Sequence, residues 1–213
     1  MKIIDLSLTY NQDISGYSDE QATTKTKDGW NAKWLRIYSH SGTHMDAPFH
    51  FEASDETIDQ MPVDRFVGRA WVVDCGAVQA QELLTVAHLG TVAEKFKRGE
   101  SLLLKTGWSH HYQNRELYRN GLPRVSEALA RWCGEKGVNM LAVEPPSVAD
   151  VNNLPEVTLI HEILLSHGVI IVEGICNLDA LTSPQVTLCA LPLKIKNGDG
   201  APARVVAIEA SWT

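Results

Sequence analysis

The spacing of apolar positions along the chain predicts strands first and alternating helices and strands later. Lys2–Tyr10, Trp34–Tyr38 and Gly68–Asp74 are β-branched or aromatic runs bounded by polar turns, as strands are. Between Ala80 and Arg98, the residues Leu83, Val86, Leu89, Val92, Ala93 and Phe96 recur at three- and four-residue steps before Gly99. That period predicts an amphipathic helix feeding a strand at Ser101–Thr106. A second helix is signalled by Ser126 as its cap, by Leu129, Trp132 and Cys133 on one face, and by Gly137 at its end. The strand Asn139–Glu144 follows and stops at Pro145 and Pro146. Pro155–His167 has proline in its first turn and Gly168 beyond its last, so it reads as a third helix leading into a strand at Val169–Ile175. Two more strands, Val186–Ile195 and Arg204–Ala210, flank the turn Asn197-Gly198-Asp199-Gly200. The expected class is mixed α/β, and no repeat or linker divides residues 1–213, so one domain is expected.

Histidine placement changes the picture from architecture to chemistry. Three of the eight histidines fall in the segment His40-Ser-Gly-Thr-His44-Met-Asp46-Ala-Pro-Phe-His50, where even scattering would leave fewer than one. Gly42 and Pro48 oppose a continuous helix there, so a loop or irregular strand end is expected. In extended backbone His44 and Asp46 project to the same side, because side chains alternate with period two. Imidazole suits zinc, manganese or iron, and a carboxylate with two oxygens can bridge a pair of ions. Further ligands are sought elsewhere in the chain. His161 shares the apolar face of the third predicted helix with Leu164 and Leu165, and Glu173 ends the apolar run Val169–Val172, where an unpaired carboxylate is costly to bury.

The segment His40–His50 resembles the HxGTHxDxPxH signature of the cyclase family of metal-dependent hydrolases, which includes bacterial kynurenine formamidases and isatin hydrolases, and every specified position matches. The stretch with His161, Leu164, Leu165, Gly168, Glu173, Asn177 and Leu178 is similar to the family's later motif, and Gly198–Val206 to its closing turn and strand. The resemblance implies a swivelling β/α/β-type fold with a mixed sheet core and a homodimer or higher homo-oligomer. It implies one or two ions, usually Zn2+ and in some members Mn2+, held by His40, His44, Asp46, His161 and Glu173, with His50 moving protons. Two departures stand out. The Trp/Pro-Gly-Asp element near the N-terminus is replaced by Asp13-Ile-Ser-Gly-Tyr17-Ser-Asp19, which leaves a pocket wall to Tyr17 or a partner subunit. The Asp-x-x-Ser-x-Asp element survives only as Glu144-Pro-Pro-Ser147-Val-Ala-Asp150.

Composition narrows the rest. Nineteen Lys and Arg against 26 Asp and Glu give a net charge of -7, which opposes nucleic acid or an anionic membrane as partner. No apolar run approaches the roughly 20 residues of a membrane helix, and the N-terminus lacks a secretory signal, so a cytoplasmic location is expected. Cys75, Cys133, Cys176 and Cys189 show no CxxC spacing and are expected to be buried free thiols. His161-Glu162 lacks the second histidine of an HExxH site, Gly198–Ala203 precedes a strand where a dinucleotide fingerprint would open a helix, and no GxSxG elbow exists. His110 and His111 read as a solvated pair. Trp30, Trp34 and Trp108 are the expected substrate-binding aromatics for a small, flat amide. A metal-dependent amidohydrolase is therefore the expected function, with a cyclase or dehydratase on the same ions, or a purely structural metal domain, as rivals.

Overall fold

A computed structural model describes residues 1–209; Ala210, the end of the last predicted strand, lies outside the described residues. The strand β1 (Lys2–Asp5) opens the chain, and β2 (Tyr17–Thr23), the one-turn α1 (Lys25–Asp28) and β3 (Ala32–Ile37) make a separate hairpin. Next come β4 (His44–Asp46), β5 (Val67–Asp74), β6 (Leu83–Leu84), α2 (Val92–Lys95), β7 (Ser101–Lys105), α3 (Arg115–Asn120) and β8 (Arg124–Val125). The chain then alternates through α4 (Glu127–Lys136), β9 (Met140–Val143), α5 (Leu154–Ser166), β10 (Ile170–Glu173), β11 (Gln185–Pro192) and β12 (Gly200–Glu209).

Eight strands form one mixed sheet in the order β1-β12-β11-β5-β7-β9-β10-β4, and β4 also pairs with β12, so the sheet closes on itself into a barrel-like core. The run β5-β7-β9-β10 is parallel and its strands are apolar on both faces, as parallel strands covered by helices must be. Alternation sorts their side chains: Leu103, Met140, Ala142, Ile170 and Val172 fill the barrel interior, whereas Leu102, Leu104, Leu141, Val143 and Ile171 meet α4 and α5 outside. The mixed α/β class read from the pattern is thus the observed one.

Four sequence expectations are corrected. Ala80–Arg98 is not one helix: it holds β6, a 3-10 turn at Val86–Leu89 and the short α2. Gln81 and Gly90 take positive φ, and the Thr85 and His88 side chains cap the 3-10 turn, so local turn chemistry breaks the apolar period. The first predicted strand stops at Asp5, and the one expected over Val186–Ile195 ends at Pro192. Among the four unpaired cysteines only Cys133 is fully buried; Cys75, Cys176 and Cys189 are half-buried. No helix among the described residues is long and apolar enough to cross a membrane.

One backbone contact fixes β4 against the end of β10. Gly174 has φ +65°, and a Cβ there would stand 2.3 Å from the Gly42 carbonyl oxygen. Thr43 Oγ1 donates to the Gly174 carbonyl at 2.6 Å and accepts from the Leu8 N–H at 2.8 Å, so the signature segment is stitched to its neighbours on both sides. Gly174→Ala is therefore expected to cost about 2–3 kcal/mol, from the left-handed backbone and the displaced carbonyl. Thermal unfolding should shift down by roughly 5–10 °C; an unchanged midpoint would refute the contact.

Candidate metal centre and active site

Register builds the site. In the antiparallel pair β4–β10, His44 stands opposite Glu173 and Asp46 opposite Ile171, while Met45 opposes Val172. Met45 and Val172 point into the barrel, so His44, Asp46 and Glu173 share the other face, toward α5. Helix α5 buries Ile160, Ile163, Leu164 and Leu165, and its His161 sits among them facing the same carboxylates. Asn153 caps this helix by accepting from the Glu156 N–H, which helps fix the depth at which His161 enters.

The donor atoms are aimed. His44 Nδ1 pairs with the Gly42 carbonyl at 3.0 Å and His161 Nδ1 with the Val157 carbonyl at 2.7 Å. A carbonyl accepts only, so both rings carry the proton on Nδ1 and present Nε2 to the site. His44 Nε2 lies 3.2 Å from Glu173 Oε2, without hydrogen-bond alignment, and His161 Nε2 lies 3.5 Å from Glu173 Oε1 and 3.7 Å from Asp46 Oδ2. Val148 N–H donates to Glu173 Oε1 at 2.8 Å and holds that carboxylate in place. His44 Nε2 and Asp46 Oδ2 are buried with no hydrogen-bond partner.

His40 occupies the other side of Asp46. Its Nδ1 meets Asp46 Oδ1 at 2.9 Å and its Nε2 meets Asp199 Oδ2 at 2.9 Å. The ring lies against Gly200, where a Cβ would come within 2.7 Å of His40 Cε1 and 2.6 Å of the Met45 carbonyl oxygen. In the sequence Asp199 stands only as part of a turn. Its flanking glycines, which let the turn come close to the signature segment, were the available signal. His50, on the 3-10 turn Pro48–Phe51, stacks on His40 with ring centroids 3.8 Å apart, and Phe51 stacks on His161 at 4.4 Å.

Charge follows geometry. Burial alone would push the His40 imidazole down, but Asp46 and then Asp199 outweigh it and raise it to about 9. Burial likewise opposes charge on His44 and His161, and the Glu173 carboxylate, with Asp46, turns both upward. Asp46 and Glu173 are driven up by burial and held below the ordinary carboxylate range by the histidines around them. The two buried carboxylates thus require positive charge beside them, which protons supply when no cation does. His50 behaves differently: burial dominates and lowers its imidazole.

Two ligand groups emerge, each with its atoms within 4.8 Å of one another: His44, Asp46 and Glu173, and His40, Asp46 and His50. Asp46 belongs to both. The unpartnered His44 Nε2 and Asp46 Oδ2, and the mixture of imidazole and carboxylate donors, fit a divalent metal ion. The geometry brings together His40, His44, Asp46, His161, Glu173 and His50. It does not bring the tryptophans. Trp30 and Trp34 are 61% and 72% exposed on the hairpin, and Trp108 is buried, donating from Nε1 to the Tyr118 carbonyl at 3.0 Å. Tyr17 packs on Tyr10 and is not at the cavity either.

The cavity above the cluster has a volume of about 370 Å³, and its aromatic walls are Tyr38, Phe51, Tyr112 and Tyr118. Trp30 and Trp34 face outward on the hairpin and Trp108 is spent in the core, and the cavity takes its rings from Tyr38 after β3, Phe51 of the 3-10 turn, Tyr112 before α3 and Tyr118 on α3. The altered Glu144 element is structural: the Glu144 carboxylate accepts from the Thr106 N–H and hydroxyl, the Gly107 N–H and the Ser109 hydroxyl, at 2.5–2.9 Å. His111 packs on Trp108, while the exposed His110 pairs with Asp179 at 2.9 Å.

These features define a family. A model described as putative cyclase matches residues 4–150, and the chain belongs to that cyclase family. Among individual proteins, it is 31% identical over 212 residues to a kynurenine formamidase of Bacillus thuringiensis (strain Al Hakam), with 95% of each chain covered. It superposes on isatin hydrolase A from Labrenzia aggregata with a TM-score of 0.86 and 25% identity, covering 97% of this chain and 93% of that one. On isatin hydrolase A from Ralstonia solanacearum the TM-score is 0.88 at 23% identity, covering 98% and 92%.

Proposed function

We propose that this protein is a metal-dependent amidohydrolase that opens a small aromatic or cyclic amide, with an aryl formamide of the N-formylkynurenine type as the leading substrate. The observation that carries the reading is Asp46, shared by two ligand groups beside unpartnered donor atoms and buried beneath the His40, His44, His161 and Glu173 floor of an aromatic-walled cavity. The similarity to kynurenine formamidases over 95% of the chain supports the same chemistry. His44, Asp46, His161 and Glu173 would hold a divalent ion, with His40 completing a second position after exchanging one of its carboxylate partners. Zinc suits this imidazole-rich set, and manganese the carboxylates.

When bound, such an ion supplies Lewis acidity, which lowers the pKa of water and polarises a carbonyl. The residues do the rest. His50 sits at the cavity side of the cluster with its ring neutral, so it accepts the proton of the attacking water and returns it to the leaving nitrogen. Stacking on His40 limits the tilt of that ring, and Phe51 shields the His161 side from solvent. The rings of Tyr38, Tyr112 and Tyr118 give a flat amide surfaces to lie on. Exposed Trp30, Trp34 and Leu35 on the hairpin support a homodimer or higher oligomer, which light scattering would read.

The test is elemental analysis of purified protein beside turnover of formamides, cyclic amides and lactones. Hydrolysis of an aryl formamide or a fused cyclic amide is expected. Metal-loaded protein that turns over none of them, yet closes a ring or eliminates water, overturns the reading. Chelation should also lower the unfolding temperature: at a free-metal concentration 100 times Kd, binding to the folded state alone is worth about 2.7 kcal/mol. A midpoint indifferent to chelator and to added zinc or manganese would argue against a resident ion.

A further inference from the structure

We infer that Arg119, with Arg115 beside it, is the specificity-determining group that receives, at the cavity mouth, a substrate carboxylate remote from the scissile amide; this rests on the amide-hydrolase reading. Both arginines lie on α3, four residues and so about one turn apart, and both line the cavity whose floor is the His/Asp/Glu cluster.

Their position and bonding set them apart: they are the two arginines that line the cavity, and neither is neutralised by an acid among the described residues. Arg124, Arg131 and Arg204 each meet a carboxylate within 2.7 Å, and Arg69 one at 3.7 Å. Among the described residues, Arg115 and Arg119 meet none within 4.0 Å. Arg115 donates from Nε to the Asp13 carbonyl at 2.6 Å and from Nη2 to the Gln12 carbonyl, which pins the N-terminal loop as a wall of the cavity. Arg119 donates only from Nη1, to the side-chain oxygens of Asn120 at 3.1 Å and Asn152 at 3.0 Å. Its Nε and Nη2 keep their donors free among the described residues, the fork that grips a carboxylate in bidentate fashion.

Neutral partners orient these guanidinium groups without cancelling their charge. Among the described residues that line the cavity, Asp13 carries the one carboxylate away from the floor, so the rim is net positive while the floor rests on buried acids. A molecule with an amide at one end and a carboxylate at the other would span that gradient in one direction only. That orientation presents its amide to the ion and to His50. A neutral amide of similar size would find the same aromatic walls but nothing to fix which end goes down.

The experiment compares N-formylkynurenine with its carboxamide, which keeps the formyl group, the ring and the ammonium and loses only the carboxylate charge. In metal-loaded wild-type protein the acid should have a kcat/KM about tenfold or more above the carboxamide, mostly through KM, the usual worth of one charge-assisted pair. In Arg119→Gln that ratio should fall toward one, and Arg119→Lys should restore part of it. Raised ionic strength should increase KM for the acid more than for the carboxamide. Equal kcat/KM values in the wild type, or an Arg119→Gln protein that keeps the full ratio, overturn the inference while leaving the hydrolase reading intact. Should neither compound be hydrolysed, the formamide panel above decides the hydrolase reading. Calorimetric binding of both compounds to chelated wild-type and Arg119→Gln protein then decides the arginine's role on its own.

Discussion

Asp46→Ala should lose its metal and its hydrolytic activity together. Asp46 is fully buried and shared by both candidate ligand groups, so one substitution removes a donor from each. It also removes the partner of His40 Nδ1 and the charge that faces His161 Nε2, leaving the ring of His40 tied only to Asp199. Losing a ligand and its outer partners together exceeds the 10- to 100-fold loss in affinity expected from an outer partner alone. The measurement is metal content by elemental analysis, with circular dichroism to show that the fold survives. Asp46→Asn provides the second arm: it keeps shape and one carbonyl oxygen but not the charge, so it should bind metal weakly where alanine binds none. Full occupancy with normal turnover in either variant would remove Asp46 from the centre.

His50→Asn, by contrast, should keep the metal and lose rate. A positioned acid-base group is worth roughly 10²- to 10⁴-fold, so kcat should fall by that factor with KM little changed. The sign of the pH dependence follows from burial. The His50 imidazole is held below its ordinary value of 6.5, so it stays an unprotonated base at neutral pH and is lost as a base only when pH falls through that lowered value. A bound cation beside it pushes in the same direction. The acid limb of the wild-type kcat/KM profile should therefore lie below 6.5 and disappear in the variant. If the variant is purified without metal, His50 is a ligand from the His40, Asp46 and His50 group and the proton must move by another route.

Much of the centre was legible in the chain. Histidines crowded into His40–His50, an alternating His44 and Asp46, a histidine on an apolar helix face and a glutamate ending an apolar strand are all local signals, and local rules of side-chain direction carry them. Glu173 and His161 could be suspected because burying such groups alone is expensive. The helices α4 and α5 and the strands β7, β9 and β10 were legible for a similar reason: caps, glycine stops and apolar period agreed.

What only the tertiary structure decided is whatever depends on pairing across long separations. The register of β4 on β10 puts His44 opposite Glu173, 129 residues away in sequence, and no local pattern encodes that match. Asp199 enters the site because β12 pairs with β4 and the Gly198–Gly200 turn then comes close to His40. The helix expected over Ala80–Arg98 failed because apolar residues at helical spacing can also be buried from a turn, as Leu89 is, or stand exposed on a short strand, as Leu83 does. The tryptophans do not line the cavity because size and aromaticity say nothing about which side of the hairpin Trp30 and Trp34 occupy, or whether Trp108 packs into the core. The sequence by itself determined which groups could do the chemistry; the closure of the sheet decided which of them meet.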